Sequence, residues 1–275
     1  MKKILVPIDF SKASEYAAKM AAKIAKKTNA TVSLIHLIEL PKGVVDMGAG
    51  SRFSIPESIL YLKKVRQKVL RFKEDIFDPN TNIDYYIKLN NPFEGIKKYT
   101  DKIEPDLIIM GSKGHSQFEE LIIGSNTEKV VRSSKTPVIV VKKDCENFKL
   151  KNLVFASNFK EENKEVFTKF VNFANTFKSK IHLLNVNTPS DFQGTSQAKQ
   201  KIEEFVSSFN LPNYKINVYS DVSVEKGILN FSKEINADLI TLSTHGRSGL
   251  SHLFTGRVTK NLSKSTLKPM MTIKV

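Results

Sequence analysis

The chain has 275 residues, 40% hydrophobic and 26% charged, with 43 Lys and Arg against 28 Asp and Glu, a net charge of +15. This is ordinary globular composition at a length that suits two domains, and no apolar run reaches the ~18 residues a membrane span needs. Met1-Lys2-Lys3 leads directly into a strand pattern without a signal-peptide core, and one cysteine, Cys145, excludes an internal disulfide and a cysteine metal site, so a reducing cytoplasm is the expected setting.

Residues 3–8 are almost wholly apolar, the mark of a strand covered on both faces. Ser11 to Glu15 reads as a capping box, with Ser11 or Ser14 as the cap. Ala17, Met20, Ala21, Ile24 and Ala25 then recur at helical spacing to about Lys27. A turn at Asn29-Ala30 precedes a second buried strand over 31–38. Residues 41–56 hold three glycines and no periodicity, which predicts a mobile loop. A long amphipathic helix over 57–77, a strand over 83–89 and a proline-led helix over 92–103 follow. The unit closes with a strand over 106–110, a glycine loop, a helix over 126–133 and a strand over 138–142.

The plan then recurs. At a shift of 132, residues 106–142 lie on 238–274 without a gap and with eleven identities, among them Gly114/Gly246, Gly124/Gly256 and Pro137/Pro269. At a shift of 149, Ile4 to Phe10 lies on Leu153 to Phe159. The second unit's strands are expected at 152–156, 181–186, 214–219, 238–242 and 270–274. Its helices are expected at 161–177, 195–209, 224–235 and 259–265. The chain is therefore a tandem duplication, with domains at 1–143 and 152–275 and a linker at 144–151. Five alternations of strand and helix imply a doubly wound parallel sheet in each unit. Ligands of such sheets bind beyond the strands' carboxyl ends, where strand order reverses. Asp9 and Gly111 end strands one and four, so they should face each other there. The apolar last strands, 137–141 and 269–273, are edges prone to pairing.

The most telling pattern is Gly111-x2-Gly114-x9-Gly124-Ser125, placed between two strands. Glycines admit a ligand close to the backbone, their amides can turn toward an anion, and the next helix adds its positive end. With Ile4-Leu-Val-Pro7-Ile-Asp9-Phe10-Ser11 and Leu34-Ile-His36-Leu37, it resembles the universal stress protein family in its tandem form, along the whole chain. The resemblance implies a flavodoxin-like, adenine-nucleotide-hydrolase-like fold of two five-stranded sheets whose final strands pair antiparallel. It also implies ATP, with Mg²⁺ as an accompanying ion. Asp9 and Leu37 would lie against adenine and ribose, and Gly111, Gly114, Gly124, Ser125, Asn126 and Thr127 around the phosphates. The second unit departs from the pattern at Asn158, Ser243 and Arg257, and is expected to have lost tight ATP binding, with an anion held by Arg247 and Arg257 as the rival reading.

The expected function is a nucleotide-dependent stress-response or signalling module. ATP would order the 41–56 loop and the cradle for an unidentified protein partner. The halves would form an internal pseudo-dimer, with a homodimer as a further option. A slow ATPase and a basic-surface nucleic-acid binder are the alternatives, although the positive excess is spread over both halves, about +9 and +6. Lys113 and His115 lie in the cradle loop, Lys129 and Arg132 read as surface charges, His36 and His182 as core histidines, and His245 and His252 lack metal-ligand spacing.

Overall fold

The computed structural model describes residues 1–39, 55–112, 124–144, 148–244 and 268–275. Its first half runs β1 (Lys3–Ile8), α1 (Lys12–Thr28), β2 (Thr31–Ile38), α2 (Ile55–Ile76), β3 (Ile83–Leu89), α3 (Pro92–Ile103), β4 (Leu107–Gly111), α4 (Ser125–Ser133) and β5 (Val138–Val141). The second half runs β6 (Asn152–Ala156), a 3₁₀ turn (Glu161–Asn163), α5 (Lys164–Thr176), β7 (Lys180–Asn187), α6 (Thr195–Val206), β8 (Tyr214–Ser220), α7 (Val224–Glu234), β9 (Leu239–Thr244) and β10 (Met270–Lys274). The expected helix over 259–265 lies outside the described residues. The long helix α2 starts two residues before its expected position, with Pro56 in its first turn. Proline is tolerated there because its missing N–H would have no helical acceptor.

The two expected sheets are one sheet of ten strands, in the order β3-β2-β1-β4-β5-β10-β9-β6-β7-β8. Pairing is parallel within each half, and antiparallel where β5 meets β10, with Val140 opposite Met270 and Ile139 opposite Met271. The cause is visible in the strands themselves. Val138–Val141 is buried at every position, as is Met270–Ile273. Two such edges would each be open to aggregation, and pairing them removes both. The outer strands β3 and β8 are half-exposed, as befits edges.

Helices α1, α2, α5 and α6 cover one face, over a core that includes Ile4, Val6, Met20, Val69, Phe155, Phe167, Phe170 and Phe205. Helices α3, α4 and α7 cover the other, over Leu5, Ile35, Ile96, Val130, Ile228 and Phe231. The interval expected as a polar linker is partly anchored. Leu150 is buried, Phe148 packs against the first core, and the Ser179 hydroxyl donates to the Leu150 carbonyl at 2.6 Å.

The duplication is clearer in backbone devices than in residue identities. Asp106 accepts the amides of Lys2 and Lys3, and Asp238, its counterpart, accepts those of Lys151 and Asn152. Each carboxylate thus clips the start of the fourth strand of its half to the start of the first. Burial works against the Asp106 charge, but the two amides and the nearby chain amino group outweigh it and hold the carboxyl below its ordinary range. Positive φ recurs in pairs, at Phe10 and Phe159, Asn29 and Lys178, Glu104 and Asn236. Gly95 on α3 makes room for Leu37, whose Cδ2 would lie 2.5 Å from a Cβ there, and Gly227 on α7 makes room for Val186 in the same way.

Two stability predictions follow from this packing. Met271 is 1% exposed at the antiparallel seam, so M271K buries an unpaired ammonium between the halves and should cost about 3 kcal/mol or more, read by urea unfolding. His182 is 5% exposed, its Nδ1 meets no hydrogen-bond partner, and burial, then Lys180 and Lys215, push its pKa down. A histidine whose folded pKa lies below its unfolded value contributes stability that is present above about pH 6.5 and lost as pH falls through that region. H182S, which installs the residue found at the matching position 33, should flatten the acid side of the Tm–pH profile.

Candidate functional site

Within the first half, strand order reverses between β1 and β4, which are hydrogen-bonded neighbours through Ile4–Leu107 and Leu5–Ile108. Their carboxyl ends therefore open side by side. The chain leaves β1 through Phe10 at φ 63°, an unusual conformation for a bulky residue, and this sharp bend turns it into α1. The Asp9 Oδ1 then accepts from the Ser11 amide at 3.0 Å and from the Ser11 hydroxyl. Ser11, not Asp9, is the N-cap of α1, accepting from the Ser14 amide at 3.2 Å. Asp9 is half-buried at the crevice, one step behind the cap. The Phe10 ring lies 4.6 Å from His36, which bonds the Ile8 carbonyl through Nδ1 at 2.9 Å, so His36 is a satisfied packing histidine.

Gly111 ends β4 directly against α1. A Cβ there would lie 2.5 Å from the Ala13 carbonyl carbon and 2.7 Å from its oxygen, both backbone atoms. Its missing side chain is thus required by helix–strand contact alone. The next residue, Ser112, donates its amide to Val141 and accepts from the Gly124 amide, which brings the start of α4 to the end of β4. Gly124 is the N-cap of α4 and no side chain caps it. The amides of Ser125, Asn126 and Thr127 have no helical acceptor and carry the helix's partial positive charge. Ser125 is exposed and Asn126 half-buried. Thr127 is 5% exposed and its hydroxyl donates to the Gly111 carbonyl at 2.9 Å, tying α4 to β4.

Of the expected contacts, Asp9, Gly111, Gly124, Ser125, Asn126 and Thr127 are carried by adjoining segments at this one edge. Leu37, next to last in β2, lies on the α3 face, packed on Gly95. Gly114, Lys113, His115, Gly246, Gly256, Arg247, Arg257, His245, His252, Cys145 and residues 41–54 lie outside the described residues. Lys129 is exposed, with its ammonium 5.8 Å from the Phe93 ring, and Arg132 pairs with Glu128 at 3.4 Å. Among the described residues no three His, Cys, Asp or Glu side chains cluster to hold a metal ion, and no helix is long and apolar enough to cross a membrane.

Sequence reasoning missed Lys142, one residue beyond the Gly111–Val141 pair. Its Nζ is buried without a hydrogen-bond partner, and burial pushes its pKa down to about 8. The second half differs at its own exit. Asn158 accepts from Asn163 at 3.0 Å, Ser243 supplies the Cβ that Gly111 lacks, and the helix opposite begins as a 3₁₀ turn.

The profile of the universal stress protein family matches residues 1–142 and 214–274. The chain belongs to the universal stress protein family, with two such units in tandem. Universal stress protein MJ0577 of Methanocaldococcus jannaschii is 32% identical over 158 residues, 52% of this chain and 95% of that protein. Universal stress protein MJ0531 of the same organism is 34% identical over 143 residues, 52% of this chain and 82% of that one. The crystal structure of a universal stress protein from Archaeoglobus fulgidus superposes with a TM-score of 0.74, at 21% identity, covering 99% of this chain and 96% of that one, and so shares the fold of both halves.

The Lys142 ammonium gives a prediction of its own. A lysine whose folded pKa is about 8, against 10.5 when free, binds fewer protons folded than unfolded between those values, so its penalty is full below pH 8 and fades as pH rises toward 10.5. K142M should stabilise the protein on the order of 2 kcal/mol at pH 7. The gap to the parent should close near pH 10, as measured by urea unfolding at the two pH values.

Proposed function

We propose that this protein is an ATP-binding stress-response or signalling module, with ATP, accompanied by Mg²⁺, held by the first half. The observation that carries the reading is the uncapped N-terminus of α4, set beside the glycine exit of β4 and the Asp9 exit of β1. Three amides aimed from one helix end suit phosphate oxygens, while the half-buried Asp9 and the apolar Leu37 suit the nucleoside end. In this reading Asp9, Leu37, Gly111, Gly124, Ser125 and Asn126 contact the nucleotide, together with Gly114. Thr127 acts by holding Gly111 and through its amide, since its hydroxyl proton is already given away. The protein works in the cytoplasm, and the nucleotide state sets the surface offered to a protein partner. In this reading nucleotide binding, and not turnover, is the output.

Isothermal titration with MgATP tests this. One site per chain is expected, and D9N, which copies Asn158, should weaken it by about tenfold, the loss of one charge-assisted contact. Two equally tight sites per chain, or D9N with parental affinity, would count against the asymmetric assignment.

A further inference from the structure

The geometry points to a second ligand site, a pocket between α3 and the edge strand β3 that takes a small anion with a flat apolar body, such as an aryl carboxylate. The pocket is a cavity of about 310 Å³, at the small end of ligand-sized pockets. Its floor is apolar: Ile35 is 1% exposed, and Leu37 and Gly95 complete it. The exposed lysines Lys88, Lys98 and Lys102 line its edge, and no acidic residue is among its described lining residues. Tyr99 lines it too, and is 6% exposed.

Tyr99 is the feature that packing does not explain. Its ring lies 4.5 Å from Tyr86, but its hydroxyl makes no hydrogen bond of good geometry, although the Tyr86 hydroxyl is near enough to be felt. A buried hydroxyl without a partner is costly, and a phenylalanine would fill the same space without that cost. Burial, then Tyr86 and Asp84, keep the phenol protonated, so it can donate a hydrogen bond. A carboxylate would accept from the phenol and neutralise the rim, while its ring would lie on Leu37 and Ile35.

The duplication supplies an internal control. In the second half Asn230 stands at the place of Lys98, Phe231 at that of Tyr99 and Glu234 at that of Lys102. Tyr219 stands at the place of Lys88 and packs edge-on against Phe231 at 5.7 Å, while Asn230 is bonded to Asp221 at 2.8 Å. That half thus closes with an aromatic pair and an acidic rim where the first half keeps a basic opening. The helix glycine that precedes both versions, Gly95 or Gly227, is the same, so the difference lies in the chemistry at the opening and not in the frame.

Leu37 is shared with the nucleotide reading, so the test separates the two through residues which that reading does not use, Lys98, Tyr99 and Lys102. The chain contains no tryptophan, so the fluorescence of 2-naphthoate reports binding without that background. Saturable binding at one site per chain is expected, with the neutral twin 2-naphthylmethanol weaker by at least about tenfold. Lys98 and Lys102 are exposed, so K98N/K102E leaves the core intact and should cost at least about tenfold. Y99F, which copies Phe231, should weaken binding severalfold. Both variants should titrate MgATP like the parent. Equal binding of the neutral twin, or parental naphthoate affinity in K98N/K102E, would overturn the proposal.

Discussion

The crevice depends on one backbone contact, the approach of Ala13 in the first turn of α1 to Gly111 at the end of β4. The helix backbone occupies the space in which a side chain at 111 would begin. Because it can sit so close, α1 begins as a regular helix directly after the β1 bend, capped by Ser11. The same glycine is held from the opposite face, where Thr127 donates to its carbonyl. Helices on both faces of the sheet thus converge on a single residue at the point where strand order reverses. In the second half Ser243 takes that position, and the helix facing it opens with a 3₁₀ turn before α5 begins. Interiors are dense enough that one added carbon is felt, and a tighter first turn is a cheap way to absorb it. The glycine therefore serves packing whether or not it also serves a ligand.

The halves are joined by the part of the fold least tolerant of standing alone. A doubly wound sheet ends in an apolar strand with one unpaired side, and here each half supplies that side to the other. The pairing also aligns the two helix layers, so that Lys27 of α1 reaches the Phe177 carbonyl and ring at the end of α5. One core on each face then runs across both units, which makes the duplication a single cooperative body in packing terms.

Much of this was legible in the sequence because it follows from periodicity. Runs such as Lys3–Ile8 and Thr31–Ile38 are apolar because helices cover both their faces, and the helical repeats of α1, α3 and α7 have their expected extents to within about two residues. The stop of α6 at Val206, before the expected end, was not legible, since it depends on Ser207 bonding the Glu204 carbonyl in place of the next turn. Nor was the bend at Phe10, because phenylalanine has no preference for positive φ and surroundings must impose it. Thr127 looked like a phosphate contact because its hydroxyl sits in the first turn of α4, and only the fold reveals a carbonyl already waiting for that proton. Lys142 reads as one more surface lysine of a basic chain, and its burial depends on what packs around the end of β5.

The contrast between the two exits is electrostatic as much as steric. The first half collects positive character at its exit: the uncapped end of α4, and the buried Lys142 ammonium with no hydrogen-bonding partner. Burying an unpaired charge costs several kcal/mol in an apolar medium, and a fold selected for stability alone would replace it with an apolar side chain. The second half spends its polar burden differently. Asn163, 0% exposed, leaves its Oδ1 unbonded, and Thr241 leaves its hydroxyl so, which are neutral groups that water can satisfy at small cost. Among the described residues, the unpartnered buried group at the first exit is thus an ammonium, whereas Asn163 and Thr241 of the second half are neutral.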